Sequence, residues 1–370
     1  MDFKTAKDGI DFLVRNQEKK LIKHPAAKKE KVSVTFFGGE PTLLWDDIIV
    51  PLVQYTEGKY PNIVNFGITT NGTLLNEDRI KWLYNHNIRP LLSIDGAKET
   101  QDFNRPCRDG RSSFDLMSKN IPIILKYFPN TTFRATIYEP TVKHLYENYL
   151  FAIKNGFRNI FLCPNARDSW SDEGLTTLHE EINKIFTYNI LSFMEGVNPI
   201  QCSNIDDAFL SILNHDRQIQ SGEKWNLAPE RNVVRCGLGT GSISIAYDGK
   251  LFGCQEQDSR DTNDYFYIGD IYNGIDEERH KAILGDYNKA EMITCEDSSL
   301  CDTCIRRLSC IHEICPSVSH DMFNNFFIRP KVDCLYAQWL QENAITMMDF
   351  LVNQEQNETF KLYLEKCYQG

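Results

Sequence analysis

The segment "CDTCIRRLSCIHEIC", residues 301–315, places four thiols within fifteen residues. Sulfur donors at this density suit soft metals, because several thiolates can reach one centre. Cys236, Cys254, Cys295 and Cys334 flank the run, so eight of the chain's twelve cysteines fall between residues 236 and 334. A zinc ribbon uses four ligands in two compact pairs, and two zinc ions would account for eight thiols. Two iron–sulfur clusters account for them equally, since each takes four thiolates drawn from separated parts of a chain. A disulfide framework fits poorly, because a large chain in a reducing compartment does not keep one. His312 and Glu313 in "CIHEIC" do not form an HExxH motif.

A second set of chemistry-bearing residues lies in the first half. Gly38, Gly39, Glu40 and Pro41 follow the apolar run "VSVTFF"; Asn71 and Gly72 follow "IVNFGITT"; Ser93, Asp95 and Gly96 close "RPLLSIDG". Paired glycines let backbone groups approach a ligand without an intervening Cβ, and Pro41 can open the helix that follows. Three consecutive strands ending in such residues describe the rim of a cofactor site. Read singly, each is an ordinary turn.

Alternating strand and helix signals must position these residues. Strands are expected at 32–37, at "IVNFGITT", "RPLLSIDG", "TTFRATIY" and "NIFLCPN", with helices between them and another near 175–195. This alternation predicts parallel βαβ units, whose ligands bind at the C-terminal strand ends. After residue 200 a helical stretch near 204–220 leads to "SISIAYDGKLFGC", which reads as a hairpin turning at Asp248-Gly249. The expected division is 1–200 and 201–370. Trp339, Leu340, Met347, Met348 and Leu351 are spaced as the packing face of a C-terminal helix. The basic stretch 18–31 reads as a solvated loop.

The chain has 370 residues, 42% of them hydrophobic, and a formal net charge of −11. Such a charge gives no footprint for phosphate backbones or anionic lipid, so neither nucleic acid nor membrane is an expected partner. No stretch approaches the roughly 18 consecutive apolar residues that span a bilayer. The expected location is the cytoplasm.

The order Cys236, Gly249, Cys254, then Cys301, Cys304, Cys310 and Cys315, then Cys334 resembles the SPASM domain of radical SAM peptide- and protein-modifying enzymes. One spacing departs from that pattern: four residues separate Cys310 from Cys315 where three are usual. "FFGGEP" resembles the motif along which the methionine end of S-adenosylmethionine (SAM) lies, and "SIDGAKETQDFNR" resembles the segment whose serine and arginine reach SAM. The implied fold is α/β: a partial (β/α)6 TIM-like radical SAM barrel with its first strand missing, followed by a cysteine-rich SPASM domain. The implied cofactor contacts are Gly38, Gly39, Glu40, Asn71, Ser93, Asp95 and Arg105.

The implied metal ligands are Cys236, Cys254, Cys301, Cys304, Cys310, Cys315 and Cys334, holding two auxiliary [4Fe-4S] clusters. By position Cys301, Cys304, Cys310 and Cys334 hold one; Cys236, Cys254 and Cys315 hold the other, completed by Cys295 or by a substrate thiolate. The resemblance further implies a precursor-peptide substrate, an electron donor such as flavodoxin or ferredoxin, and maturation of a ribosomally made, cysteine-containing peptide by thioether-type crosslinking. "RPCRDGRSSFD" and "CLYAQWLQENA" point to the CXXX-repeat peptide maturase group. An anaerobic sulfatase-maturating activity is the alternative enzyme, and a non-catalytic, metal-stabilised peptide-binding protein the alternative of another class. Residues 1–50 contain no cysteine, so the CxxxCxxC motif for the SAM-binding cluster is missing. That cluster is expected only in a full-length form, and the chain without it is not expected to cleave SAM.

Overall fold

The computed structural model describes residues 1–23, 31–195, 201–208, 242–258, 265–287, 293–304 and 315–353. The first sheet contains β1 (Val32–Phe36), β2 (Val64–Thr70), β3 (Arg89–Ser93), β4 (Thr132–Ile137), β5 (Asn159–Pro164) and β6 (Gln201–Cys202). These six strands run in sequence order, and every neighbouring pair is parallel. Five match the expected strand runs. The two-residue β6 is too short to give a periodic signal.

Helices α1 (Phe3–Lys23), α2 (Val50–Lys59), α3 (Glu77–Asn85), α4 (Lys98–Asn104), α5 (Ser113–Met117), α6 (Ile121–Tyr127), α7 (Leu145–Lys154) and α8 (Asp172–Met194) accompany the sheet. The strand alternation sorts side chains between two faces. On β4 and β5, Phe133, Ala135, Ile137, Ile160 and Leu162 are buried in the main core. Thr132, Arg134, Thr136, Phe161 and Cys163 point to the opposite face and are only half-buried. α1 continues to Lys23, so the basic stretch begins as helix and not as loop. Lys, Glu and Gln are good helix formers, which explains the extension.

The second half is built on a small antiparallel sheet of β7 (Ser244–Ile245), β8 (Lys250–Phe252), β9 (Tyr267–Asp270) and β10 (Gly274–Ile275). β7 and β8 form the expected hairpin, and Gly249 takes the positive φ of +88° that its turn requires. A separate parallel pair, β11 (Thr294–Cys295) with β12 (Ile328–Arg329), lies beside the cysteine run. The helix Lys331–Asn353 returns to the first sheet: Leu340 and Met347 are buried in its core, with Trp339 and Met348 packed against it. The side chain of Leu351 lies outside the described residues. α1 makes the reciprocal connection, with Phe12 buried among Leu251, Phe252 and Phe266.

Candidate active site and cysteine region

The strand ends form one continuous polar rim. Gly38 has φ of +144°, a conformation that favours glycine, and neither it nor Gly39 has an atom within 4 Å of where a Cβ would stand. Their backbone therefore faces open space that a ligand can enter. Glu40 has a structural role at the rim. Its carboxylate accepts from Thr42 N at 3.0 Å, from the Thr42 hydroxyl, from Thr70 Oγ1 at 2.8 Å and from Asn71 N at 2.8 Å. It caps the short 3₁₀ turn Pro41–Leu44 and ties the end of β1 to the end of β2. Asn71 is also engaged, since its Oδ1 accepts from Thr73 N at 3.0 Å.

Ser93 is buried at the end of β3 and registers with Arg134, which in turn registers with Phe161. Asp95 has a fully buried carboxylate that accepts from Arg105 Nε at 2.8 Å, Arg105 Nη2 at 2.9 Å and Thr136 N at 3.0 Å. This two-pronged pair fixes the guanidinium at the rim and leaves Nη1 available to a ligand. The loop before α4 is propped by Asn148, whose Oδ1 accepts from Ala97 N at 2.9 Å and whose Nδ2 donates to Thr100 Oγ1 at 2.9 Å. Buried Gln101 accepts from Asp95 N at 2.8 Å, while its Nε2 has no partner among the described residues. The open backbone of Gly38 and Gly39 is the part of the rim that a polar cofactor can approach.

Sequence reasoning missed Tyr138, Asn148 and Gln101. Tyr138 immediately follows β4, so the strand-end rule could have found it. Burial pushes its phenol above the ordinary value, with Asp95 adding to the effect. Asn148, on α7, carried no sequence signal. Cys163, on the half-buried face of β5, has its thiol pushed up to about 11 by burial, with Asp333 contributing.

Across from β5 lies the second half. Arg167 donates to Asp321 from Nη2 at 2.9 Å and pairs with Glu256 at 3.2 Å, latching the loop after β5 to two elements of the cysteine region. Cys254 follows β8, and its sulfur accepts from Glu256 N at 3.5 Å. Cys315 is exposed and stands at the N-cap of the helix Pro316–Phe323. Cys301 and Cys304 are half-buried, and Cys334 lies in the first turn of the helix Lys331–Asn353. Cys236 and Cys310 lie outside the described residues. Among the described residues, no three His, Cys, Asp or Glu side chains form a metal-holding group. Cys295 and Cys301 are nevertheless neighbours, with Cys295 N donating to Cys301 Sγ at 3.2 Å, and hydrogen bonding from Cys334 holds the Cys295 thiol below its ordinary value.

Residues 3–152 match the family described as the Radical SAM superfamily. Over that segment the chain is similar to radical SAM domains. A cysteine-type anaerobic sulfatase-maturating enzyme of Clostridium novyi is 29% identical over 282 residues, covering 74% of this chain and 68% of its own. The solved structure of native anSMEcpe with bound AdoMet and Cp18Cys peptide superposes with a TM-score of 0.66 at 17% identity, covering 93% of this chain and 91% of that one. Streptococcus suis SuiB bound to precursor peptide SuiA gives 0.53 at 16% identity, covering 89% and 69%. At those identities the likeness shows a shared fold. The superfamily is one of enzymes, and no helix among the described residues is long and apolar enough to cross a membrane.

Proposed function

We propose that the chain is a radical SAM enzyme that matures a ribosomally made, cysteine-containing peptide, with thioether-type crosslinking as its chemistry. The observation that carries this reading is the position of the Arg167 latch. It joins the loop at the C-terminal end of β5, in the same sheet whose β1 and β3 ends carry Gly38, Gly39 and Ser93, to the segment bearing Cys254 and to the helix that begins after Cys315. A peptide lying between the two halves meets the adenosyl pocket on one side and thiols on the other. A peptide accompanies anSMEcpe in one solved relative, and SuiB is bound to its precursor peptide SuiA in another.

SAM and its cluster, when bound, would supply radical chemistry, and auxiliary clusters held by the cysteines of the second half would supply electron uptake or a binding place for substrate sulfur. The chain's own residues orient and enclose. The backbone of Gly38 and Gly39 receives the methionine end; Ser93 and the free Nη1 of Arg105 receive its carboxylate. Glu40, held by Thr42, Thr70 and Asn71, keeps the rim in place, and its Oε2, which accepts only from Asn71 N, has capacity for a further donor from SAM. Asp95 aims Arg105. Phe161 and Cys163 line the sheet face beneath, where water exclusion protects a reactive substrate. No CxxxCxxC triplet occurs in these 370 residues.

The test is anaerobic purification followed by metal analysis and mass spectrometry of peptide products. About eight irons per chain, a brown colour, and loss of two hydrogens per crosslink in a cysteine-containing precursor peptide are expected, the last with the SAM-cluster segment present. Stoichiometric zinc in a colourless protein would instead indicate the peptide-binding module. The similarity to the Clostridium novyi enzyme favours sulfatase maturation as the second reading. Oxidation of a cysteine in a sulfatase peptide, without a crosslink, would select it.

A further inference from the structure

In the six strands of the first sheet the charged side chains are Arg89 and Arg134. Arg89 opens β3 and is exposed, so water solvates its charge. Arg134 is half-buried in the middle of β4, on the face away from Phe133, Ala135 and the helices packed on them. Among the described residues its guanidinium makes no hydrogen bond and no ion pair; it lies over the Phe161 ring, 5.8 Å from the centroid. Its partners in register, Ser93 on β3 and Phe161 on β5, are neutral, as are Thr132 and Thr136 on its own strand. Asp95, two residues beyond Ser93, is committed to Arg105 and to Thr136 N. The chain has 51 acidic residues against 40 basic ones, yet no strand of this sheet contains one of the acids.

A cation that loses water without gaining a partner costs free energy, so a half-buried guanidinium calls for a counter-ion. Stacking on an aromatic ring uses the guanidinium's flat face and leaves its in-plane N–H donors free, the arrangement that receives a carboxylate through two parallel bonds. The ring also sets where those donors lie. Phe161 is on the β5 side of Arg134, away from Ser93, and the loop after β5 carries Arg167, the latch to the cysteine region. Arg134 therefore leans toward the place where the second half meets the sheet, and away from the β1–β3 ends where SAM is received. We propose that Arg134 is a specificity-determining residue that binds a carboxylate of the peptide substrate, supplied by an Asp or Glu side chain or by the peptide's C-terminus. This rests on the reading of the chain as a peptide-modifying enzyme. Anchoring the peptide at one point limits which of its residues reaches the rim.

The experiment uses the full chain, purified anaerobically and immobilised, with two synthetic hexapeptide libraries as probes, each with a fixed cysteine and random residues elsewhere. One library is acetylated and amidated; the other is acetylated with a free C-terminal carboxylate. Retained peptides are read by mass spectrometry. The wild type should favour Asp and Glu over Asn and Gln by about tenfold in the first library, or free C-termini over amides by about the same factor, and which of these occurs identifies the source of the carboxylate. Arg134→Gln should abolish the preference while still retaining cysteine peptides. Arg134→Glu should reverse it toward Lys and Arg, which a purely structural role does not produce. Arg134→Lys keeps the charge without the fork and should weaken the preference; it covers the case in which the other variants fail to fold. Equal retention of acidic and amide peptides by the wild type, or an unchanged preference in Arg134→Gln, would overturn the proposal alone. Weaker SAM binding by Arg134→Gln in equilibrium dialysis, with peptide selection unchanged, would give Arg134 to the carboxylate of SAM and overturn it as well. A wild type that retains no peptide from either library would overturn both the proposal and the peptide-modifying reading beneath it.

Discussion

Asp95 and Arg105 illustrate how one residue's task depends on another's burial. The Asp95 carboxylate is fully buried and the Arg105 side chain 29% exposed, so the pair lies at the boundary between core and site. Removing the cation leaves a desolvated carboxylate held by one remaining N–H, from Thr136. Arg105→Gln should therefore destabilise the fold by about 3 kcal/mol, the usual cost of breaking a buried ion pair from one side. Urea unfolding measures that loss, and equilibrium dialysis should show weaker SAM binding; full stability would mean the pair is solvated. Asp11 tests the same physics away from the site. Burial opposes its ionisation, but hydrogen bonds from Lys59, Tyr55 and Tyr60 outweigh that and hold the carboxyl below the ordinary value. Because the folded-state pKa is the lower one, the stabilisation is complete above the unfolded pKa and disappears as pH falls through the folded value. Asp11→Asn should cost about 2 kcal/mol near neutral pH, as expected for hydrogen bonds to a charged group. The gap between variant and wild type should close in strong acid, and a gap independent of pH would refute this account.

At the scale of elements, Arg167 is the residue that joins two separately built parts. Its partners Glu256 and Asp321 retain part of their exposure, so the latch contributes about 1 kcal/mol to global stability. Its larger effect is local. Arg167→Ala should speed amide hydrogen exchange in the helix Pro316–Phe323 while leaving β4 and β5 protected; unchanged exchange there would show that other contacts hold that helix. Much of this architecture was legible from pattern alone. The five longer strands were visible as short apolar and β-branched runs closed by turn residues, and the hairpin because Asp248-Gly249 supplies the required φ. β6 and the π-helical turn Trp45–Ile49 were not visible, since both are set by tertiary packing over only a few residues. Glu40 was legible as a rim residue but not as the tie between β1 and β2, because the donors for that tie, Thr70 and Asn71, lie some thirty residues away. Gly96 was read as a rim glycine. Its constraint is Asn148, whose Oδ1 would lie 2.1 Å from an added Cβ, and no local pattern reveals that neighbour.

The two described end helices make the whole molecule interdependent. α1 packs its Ala6, Ile10 and Val14 face against Ile48 and Leu52, while Gly9 and Phe12 reach the second sheet at Ile245 and Leu251. The helix Lys331–Asn353 carries Cys334 in its first turn and then enters the first core. There Tyr336 donates from its hydroxyl to Leu162 O at 3.0 Å, and Trp339 stacks on His179 with centroids 4.6 Å apart. A metal bound at Cys334 therefore anchors a helix that the parallel sheet needs. Ligand binding to the folded state alone raises its stability by mass action, and metal sites do so strongly because the unfolded chain rarely presents their ligands together. Stripping iron from the anaerobic protein with a chelator should consequently lower the melting temperature of the whole chain, barrel included, in one calorimetric transition. Cys334→Ser should reproduce most of that decrease, whereas Cys107→Ser, in the loop between α4 and α5, should leave the melting temperature unchanged. If chelation instead produced an early transition of the cysteine region followed by barrel melting at the original temperature, the terminal helices would not couple the two halves.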